Sequence, residues 1–165
     1  MALSGTLERK NLAHFIDENF GTGTASYVRL GKDLEEYSVE MNADVEQKKN
    51  ILGESSARVK GYTPQGSVEP FYAEAGSALF TALLGIINGR STGDSLKTTV
   101  IDCLVEYGSN DTLTVSEAYK EDAIIVPQSI GGEDGVQIPF DIYYDGNRAP
   151  VNGTITNGKF VITNG

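Results

Sequence analysis

Covalent chemistry needs a nucleophile, a base or a metal ligand, and this sequence offers few of each. Its one histidine is His14, within Leu12-Ala-His-Phe-Ile16, and no Gly-x-Ser-x-Gly turn accompanies it. His14 therefore reads as a packed histidine on a strand. The one cysteine, Cys103, falls on the apolar side of an alternating run and reads as a buried, inert thiol. With one cysteine and one histidine, a single chain holds neither an internal disulfide framework nor a two- or three-histidine zinc site.

Carboxylates are abundant, but their spacing argues against acid–base work. Asp17-Glu18, Glu35-Glu36, Glu121-Asp122 and Glu133-Asp134 are neighbours in sequence, and neighbours on a strand point to opposite faces. A glycoside hydrolase built on another acid pair needs an aromatic cleft, and no cluster of rings suggests one. Glu133-Asp134 lacks the alternating oxygen-ligand spacing of a calcium loop. Gly21-Thr-Gly23 is not followed by a Lys-Ser/Thr pair opening a helix, and Gly131-Gly132 precedes two acids that repel phosphate. The residues point to no catalytic site, no metal and no cofactor.

The elements that carry these residues follow from periodicity. Residues 12–16 and 27–30 are apolar runs split by Phe20-Gly-Thr-Gly-Thr24, which predicts a hairpin. Within residues 34–41, Tyr37, Val39 and Met41 alternate with polar side chains, as on a strand with one wet face. Residues 42–56 are too polar for a core helix and long for a hairpin connection, so they read as a long loop, either simply solvated or, as the apolar pair within it favours, partner-binding. Ile51-Leu52 is its exposed apolar pair. Residues 58–71 read as a strand broken at Pro64-Gln-Gly66.

One helix is predicted over residues 74–89, where Ala75, Leu79, Leu83 and Ile86 form a stripe widened by Phe80, Leu84 and Ile87. Asn88-Gly89 supplies its left-handed cap. Beyond it the chain reads as strand at residues 96–107, 113–127 and 136–144, with a turn at Asp145-Gly146. Asn157-Gly158, between Thr154-Ile-Thr156 and Lys159-Phe-Val-Ile162, is a two-residue hairpin signal. The expectation is a mainly β fold with one flanking α-helix, a single domain over residues 1–165, and a polar N-terminal arm at residues 1–10.

Charge bears on partners. The 165 residues carry 23 acids against 13 bases, a formal −10, which excludes a duplex-reading protein that must neutralise phosphates. Residues 100–145 hold ten acids with Lys120 as their single base, whereas residues 45–60 hold Lys48, Lys49, Arg58 and Lys60 against Glu46 and Glu54. An acidic body with a basic segment favours head-to-tail self-association. Residues 1–10 lack the apolar stretch of a leader, and the longest apolar run, residues 78–87, falls short of the ~20 residues needed to span a bilayer. A soluble chain made in the cytoplasm is expected.

Several segments have a familiar wording. Tyr27-Val-Arg-Leu-Gly-Lys-Asp-Leu-Glu-Glu-Tyr-Ser-Val-Glu-Met-Asn42, Lys48-Lys-Asn-Ile-Leu-Gly-Glu54, Val68-Glu-Pro-Phe-Tyr72, Ala123-Ile-Ile-Val-Pro-Gln-Ser129 and Ile138-Pro-Phe-Asp-Ile-Tyr143 stand in this order along the chain. Together they resemble the major tail protein, or tail tube protein, of tailed bacteriophages. The resemblance implies a β-sandwich with a flanking helix, the tube fold also found in type VI secretion tube proteins. It implies a structural virion protein of the tail, assembled in the host cytoplasm, whose homohexameric rings stack into a tube for DNA delivery. Its partners would be further copies of itself, a tape measure protein, a tail terminator and baseplate or tip proteins, with DNA in passage and no membrane.

By the same resemblance, the segment at residues 42–56 would contact an adjacent subunit through Lys48, Lys49, Ile51 and Leu52. Asp102, Glu106, Glu121 and Asp141 would line the lumen. A negative wall offers no lysine–phosphate contacts to hold moving DNA, and at physiological salt its field reaches only ~8 Å. The competing class is a β-sandwich binding module, for virion decoration or carbohydrate binding through Tyr143, Tyr144 or Phe71. An acid-pair hydrolase is the third.

Overall fold

The computed structural model describes residues 5–30, 37–69, 71–72, 74–133 and 135–163. In chain order its elements are β1 (Leu12–Asp17), β2 (Tyr27–Leu30), β3 (Val39–Glu40), β4 (Ala43–Lys49), β5 (Ser55–Tyr62) and β6 (Gln65–Val68). The helix α1 (Ala78–Gly89) follows, then β7 (Lys97–Tyr107), β8 (Leu113–Pro127), β9 (Phe140–Pro150), β10 (Gly153–Thr156) and β11 (Lys159–Ile162). The fold is mainly β with one α-helix among the described residues, as the sequence predicts.

Strand β1 alternates Ala13 and Phe15 with His14 and Ile16, and all four are buried. A strand covered on both faces belongs inside a sheet, and β1 pairs antiparallel with β2 on one side and β7 on the other. The whole sheet runs β10-β11-β2-β1-β7-β8-β9-β6-β3, and β4-β5 forms a separate two-stranded ribbon. The large sheet curls until its β10 end meets β8, where the Val151 N–H donates to the Ala118 carbonyl at 3.0 Å. Two layers thus come from one continuous sheet.

Curling encloses a first core of Ala13, Phe15, Tyr27, Ile101, Cys103, Val105, Ala118 and Phe160. Phe15 meets Phe160 edge to face, with centroids 5.6 Å apart. The opposite face of the β1–β7 pair supplies Ile16 and Val100 to a second core, built with Leu79 and Leu83 of α1 and with Ile125, Phe140 and Ile142. The stripe predicted for α1 is the one that packs: Leu79, Leu83 and Ile86 are buried.

Element boundaries moved where side-chain chemistry decided them. α1 begins at Ala78 because the Ser77 hydroxyl accepts from the Phe80 N–H, and Gly76 before it sits at φ +91°. Its left-handed cap is Arg90 (φ 46°, ψ 47°), not Gly89, and the Arg90 N–H reaches the carbonyls of Ile86 and Ile87. Strand β9 starts at Phe140, later than the alternation from Val136 suggested, because Gln137 instead bridges to Tyr72 and Gly131. It then runs through the expected turn at Asp145-Gly146 as an irregularity, with Gly146 at φ +99° and Asn147 at φ 57°.

The C-terminal hairpin closes as expected, Thr156 facing Lys159 around Asn157 and Gly158, both at positive φ. Of the strand read at residues 34–41, residues 34–36 lie outside the described residues, as do residues 1–4 of the arm. The rest of the arm is tied down. Arg9–Asn11 form one 3-10 turn, the Asn11 amide donates to the Val105 carbonyl at 3.0 Å, and Arg9 donates to the Tyr37 carbonyl at 2.7 Å. No helix among the described residues is long and apolar enough to cross a membrane.

Phe15 is fully buried at the centre of the curled layer. Phe15→Ala is expected to cost about 3–5 kcal/mol, read as a lower urea midpoint at unchanged slope. A midpoint equal to wild type would show that this ring does not hold the layer together.

Candidate assembly interface

Residues 42–56, read as a loop, are instead most of a β-hairpin. β4 and β5 pair from Ala43↔Tyr62 to Lys49↔Ser55, with one bulge between Asp44 and Val45. The pairing sorts the side chains. Ala43↔Tyr62, Val45↔Val59, Gln47↔Ala57 and Lys49↔Ser55 share one face, whose single charge is Lys49 at the tip end. Glu46↔Arg58, Lys48↔Ser56 and Lys60 share the other, where both Lys48 and Lys60 pair with Glu46. No residue of the hairpin is buried. A lone two-stranded hairpin is marginal in water, and this one leaves Val45, Val59 and Tyr62 about half exposed.

The tip is organised by Asn50. Its side-chain oxygen accepts from the N–H groups of Leu52 and Glu54, its amide donates to the Glu54 carboxylate at 2.7 Å, and Gly53 supplies the positive φ the turn needs. Ile51 and Leu52 are thereby held at the corner, 102% and 77% exposed. The structure thus brings Ile51, Leu52, Lys48 and Lys49 together at one end of one arm.

The four acids singled out for a lumen wall are dispersed and mostly engaged within the chain. Asp102 faces His14 across β1–β7, with His14 Nδ1 2.6 Å from Asp102 Oδ1, and its side chain is 14% exposed. The Tyr144 hydroxyl donates to the same oxygen at 3.3 Å and lies 3.0 Å from the Tyr37 hydroxyl, while the Tyr37 ring stands edge-on to His14 at 4.5 Å. Glu121 is buried against Arg148 at 3.2 Å and accepts from the Gly146 N–H. Asp141 accepts from Ser67 and Gln128. Glu106 is half-buried, its Oε2 without a hydrogen-bond partner among the described residues.

This network fixes local pKa values. Burial first, then the Asp102 charge, holds the Tyr144 phenol far above its usual range, and burial does the same to Tyr37. Both stay protonated and keep donating. Burial, with Asp102 second, pushes the Cys103 thiol up to about 12. Gly66 lies under Tyr37, where a Cβ would come within 2.5 Å of the ring, so only glycine admits this approach.

Sequence reasoning missed two structural acids. Asp102 is the cross-strand partner of the single histidine. Asp17 is buried and caps the β1–β2 turn, accepting from the N–H groups of Asn19, Gly21 and Ser26. The rings proposed for a glycan platform do not form one. Tyr143 is exposed, Tyr144 is turned into the network, and Phe71 packs edge-on to Phe140 at 5.6 Å. Among the described residues no group of three His, Cys, Asp or Glu side chains could hold a metal ion.

Three solved structures share this fold, a curled antiparallel sheet with one flanking helix. The chain is similar to a chain of the sheath/tube terminator of the extracellular contractile injection system PVC in its extended state, with a TM-score of 0.56 at 9% identity, covering 90% of this chain and 99% of that one. It is similar to a chain of the PVC sheath–tube complex in the extended state, with a TM-score of 0.53 at 10% identity, covering 88% and 93%. It is also similar to the tube-terminating cap of the anti-feeding prophage, with a TM-score of 0.54 at 10% identity, covering 91% and 93%. No protein-family model and no curated protein matches the sequence.

Two outcomes follow from the buried network. Tyr144→Phe removes a donor from Asp102 and is expected to cost about 1–3 kcal/mol, measured by urea unfolding. Because the Cys103 thiol and both phenols are raised, the unfolded chain releases protons that the folded chain keeps. The fold is therefore fully stabilised below about pH 8.5, the ordinary thiol value, and weakens as pH rises toward 12. A urea midpoint that stays flat from pH 8 to 11 would contradict this.

Proposed function

We propose that this chain is a structural subunit that assembles with its own copies into hexameric rings, stacked as the tube of a phage tail or related injection particle. The β4–β5 hairpin carries this reading. It is an arm with one nearly uncharged face, an organised apolar tip and no buried residue among the described residues. Copies bring the missing cover, and ring closure removes the exposed edge strand β3 that would otherwise invite open-ended pairing. Lys48, Lys49, Ile51 and Leu52 make the contact between subunits. DNA passes through the tube, and a tape measure protein, a terminator and baseplate or tip proteins complete the particle. The exposed acids of residues 100–145, such as Glu117 and Asp145, would offer moving DNA no lysine–phosphate contacts.

A second reading comes from the company the fold keeps, since two of the similar structures are a terminator and a cap. A terminator stops at one ring, whereas a tube subunit stacks. Negative-stain electron microscopy of the concentrated protein separates them: hollow tubes support the tube subunit, single six-fold rings the terminator. Dispersed particles that bind glycans would overturn both in favour of a binding module. Ile51→Asp or Leu52→Asp is expected to weaken assembly about tenfold or more while leaving the thermal midpoint of the monomer unchanged, because the tip is exposed. Normal polymerisation of both variants would remove the hairpin tip from the mechanism.

A further inference from the structure

Away from the arm, the surface holds an apolar groove of a size to receive its tip. Between the C-terminal turn of α1 and the end of β8, a groove of about 380 Å³ is lined by Ile86, Ile87, Leu96, Val126 and Ile130, with Arg90 among its lining residues. Ile130 is 47% exposed within it. A cavity of roughly 150 Å³ suffices for a benzene-sized group, so this groove has room for two branched aliphatic side chains. The tip presents such a pair, Ile51 and Leu52, and their exposure shows that they do not occupy the groove of their own chain.

Charge matches as well. Arg90 has no side-chain partner among the described residues, and the acidic loop beyond Ile130 carries Glu133, exposed and likewise unpaired. The tip carries the complement. The Glu54 carboxylate is held in place by Asn50, and Lys49 has no ion-pair partner among the described residues.

Resting on the assembly reading above, we propose that this groove is the seat for the Ile51–Leu52 tip of another copy of the chain, with Arg90 meeting Glu54 and Glu133 meeting Lys49. The apolar pair supplies the affinity and the two ion pairs set the orientation.

The test mixes two full-length variants, Leu52→Cys and Ile130→Cys, under conditions in which wild-type protein assembles, and adds a short thiol–thiol cross-linker. Both substituted positions are exposed, while Cys103 is buried with its thiol pushed up, so it stays silent. The expected result is a covalent dimer whose linked peptides join position 52 of one copy to position 130 of the other. Ile130→Asp should raise the concentration needed for assembly about tenfold, and Arg90→Glu should raise it less and more steeply at low salt. Assembly without a 52–130 link, or a link from position 52 to any other site, overturns the groove while leaving the assembly reading standing. Wild-type protein that stays dispersed at every concentration tried overturns the assembly reading, and the groove with it.

Discussion

The β1–β7 pairing is the constraint on which the rest of the molecule depends. Phe15↔Ile101 and Ala13↔Cys103 point into the curled layer, while Ile16↔Val100 and His14↔Asp102 point toward α1 and the tyrosines. A slip of one residue would send Phe15 under the helix and the His14–Asp102 pair into the apolar interior. Neither placement is tolerable, because a buried carboxylate must keep its partners. Two cores of different chemistry on the two sides of one strand pair thus specify a single register. The curl of the sheet, the position of α1 and the root of the hairpin arm all follow from it.

The polar side of that pair is a device of specificity. His14, Asp102, Tyr144 and Tyr37 form a chain of contacts ending at Arg9, which holds the Tyr37 carbonyl. Breaking one member leaves an uncompensated neighbour, which costs more than the intact pair is worth. The network therefore ties the N-terminal turn and the segment entering β3 to the central strands, and Gly66 leaves the space that lets Tyr37 lie there. In this way a lone histidine, poor as a catalyst, is useful as an anchor.

Much of the fold was legible because its signals are local. The stripe of α1, the alternation of β7 and β8 and the Asn157-Gly158 turn need no knowledge of partners to be read. The misreadings came where a distant contact decides. Asp102 looks like a wet-face acid until His14 is placed opposite it by pairing across 88 positions. Residues 136–139 alternate well, yet Gln137 is claimed by Tyr72 and Gly131 before a strand can begin. The hairpin reads as a loop because its apolar residues are thin, and its own turn chemistry at Asn50 and Gly53 is the signal that marks it. Its exposed tip, by contrast, was readable from composition alone.

The hairpin is also a ruler. The seven residues of β4, at ~3.3 Å each, hold the tip roughly 23 Å from the root. Because side chains alternate with a period of two, adding one residue to each strand would turn the nearly uncharged face outward, while adding two would preserve it and lengthen the arm by ~6–7 Å. Under the proposed assembly, the spacing between neighbours would change only in quantised steps. Drift in length within a lineage of such chains would proceed by paired insertions of two, each matched by a shift of the receiving surface.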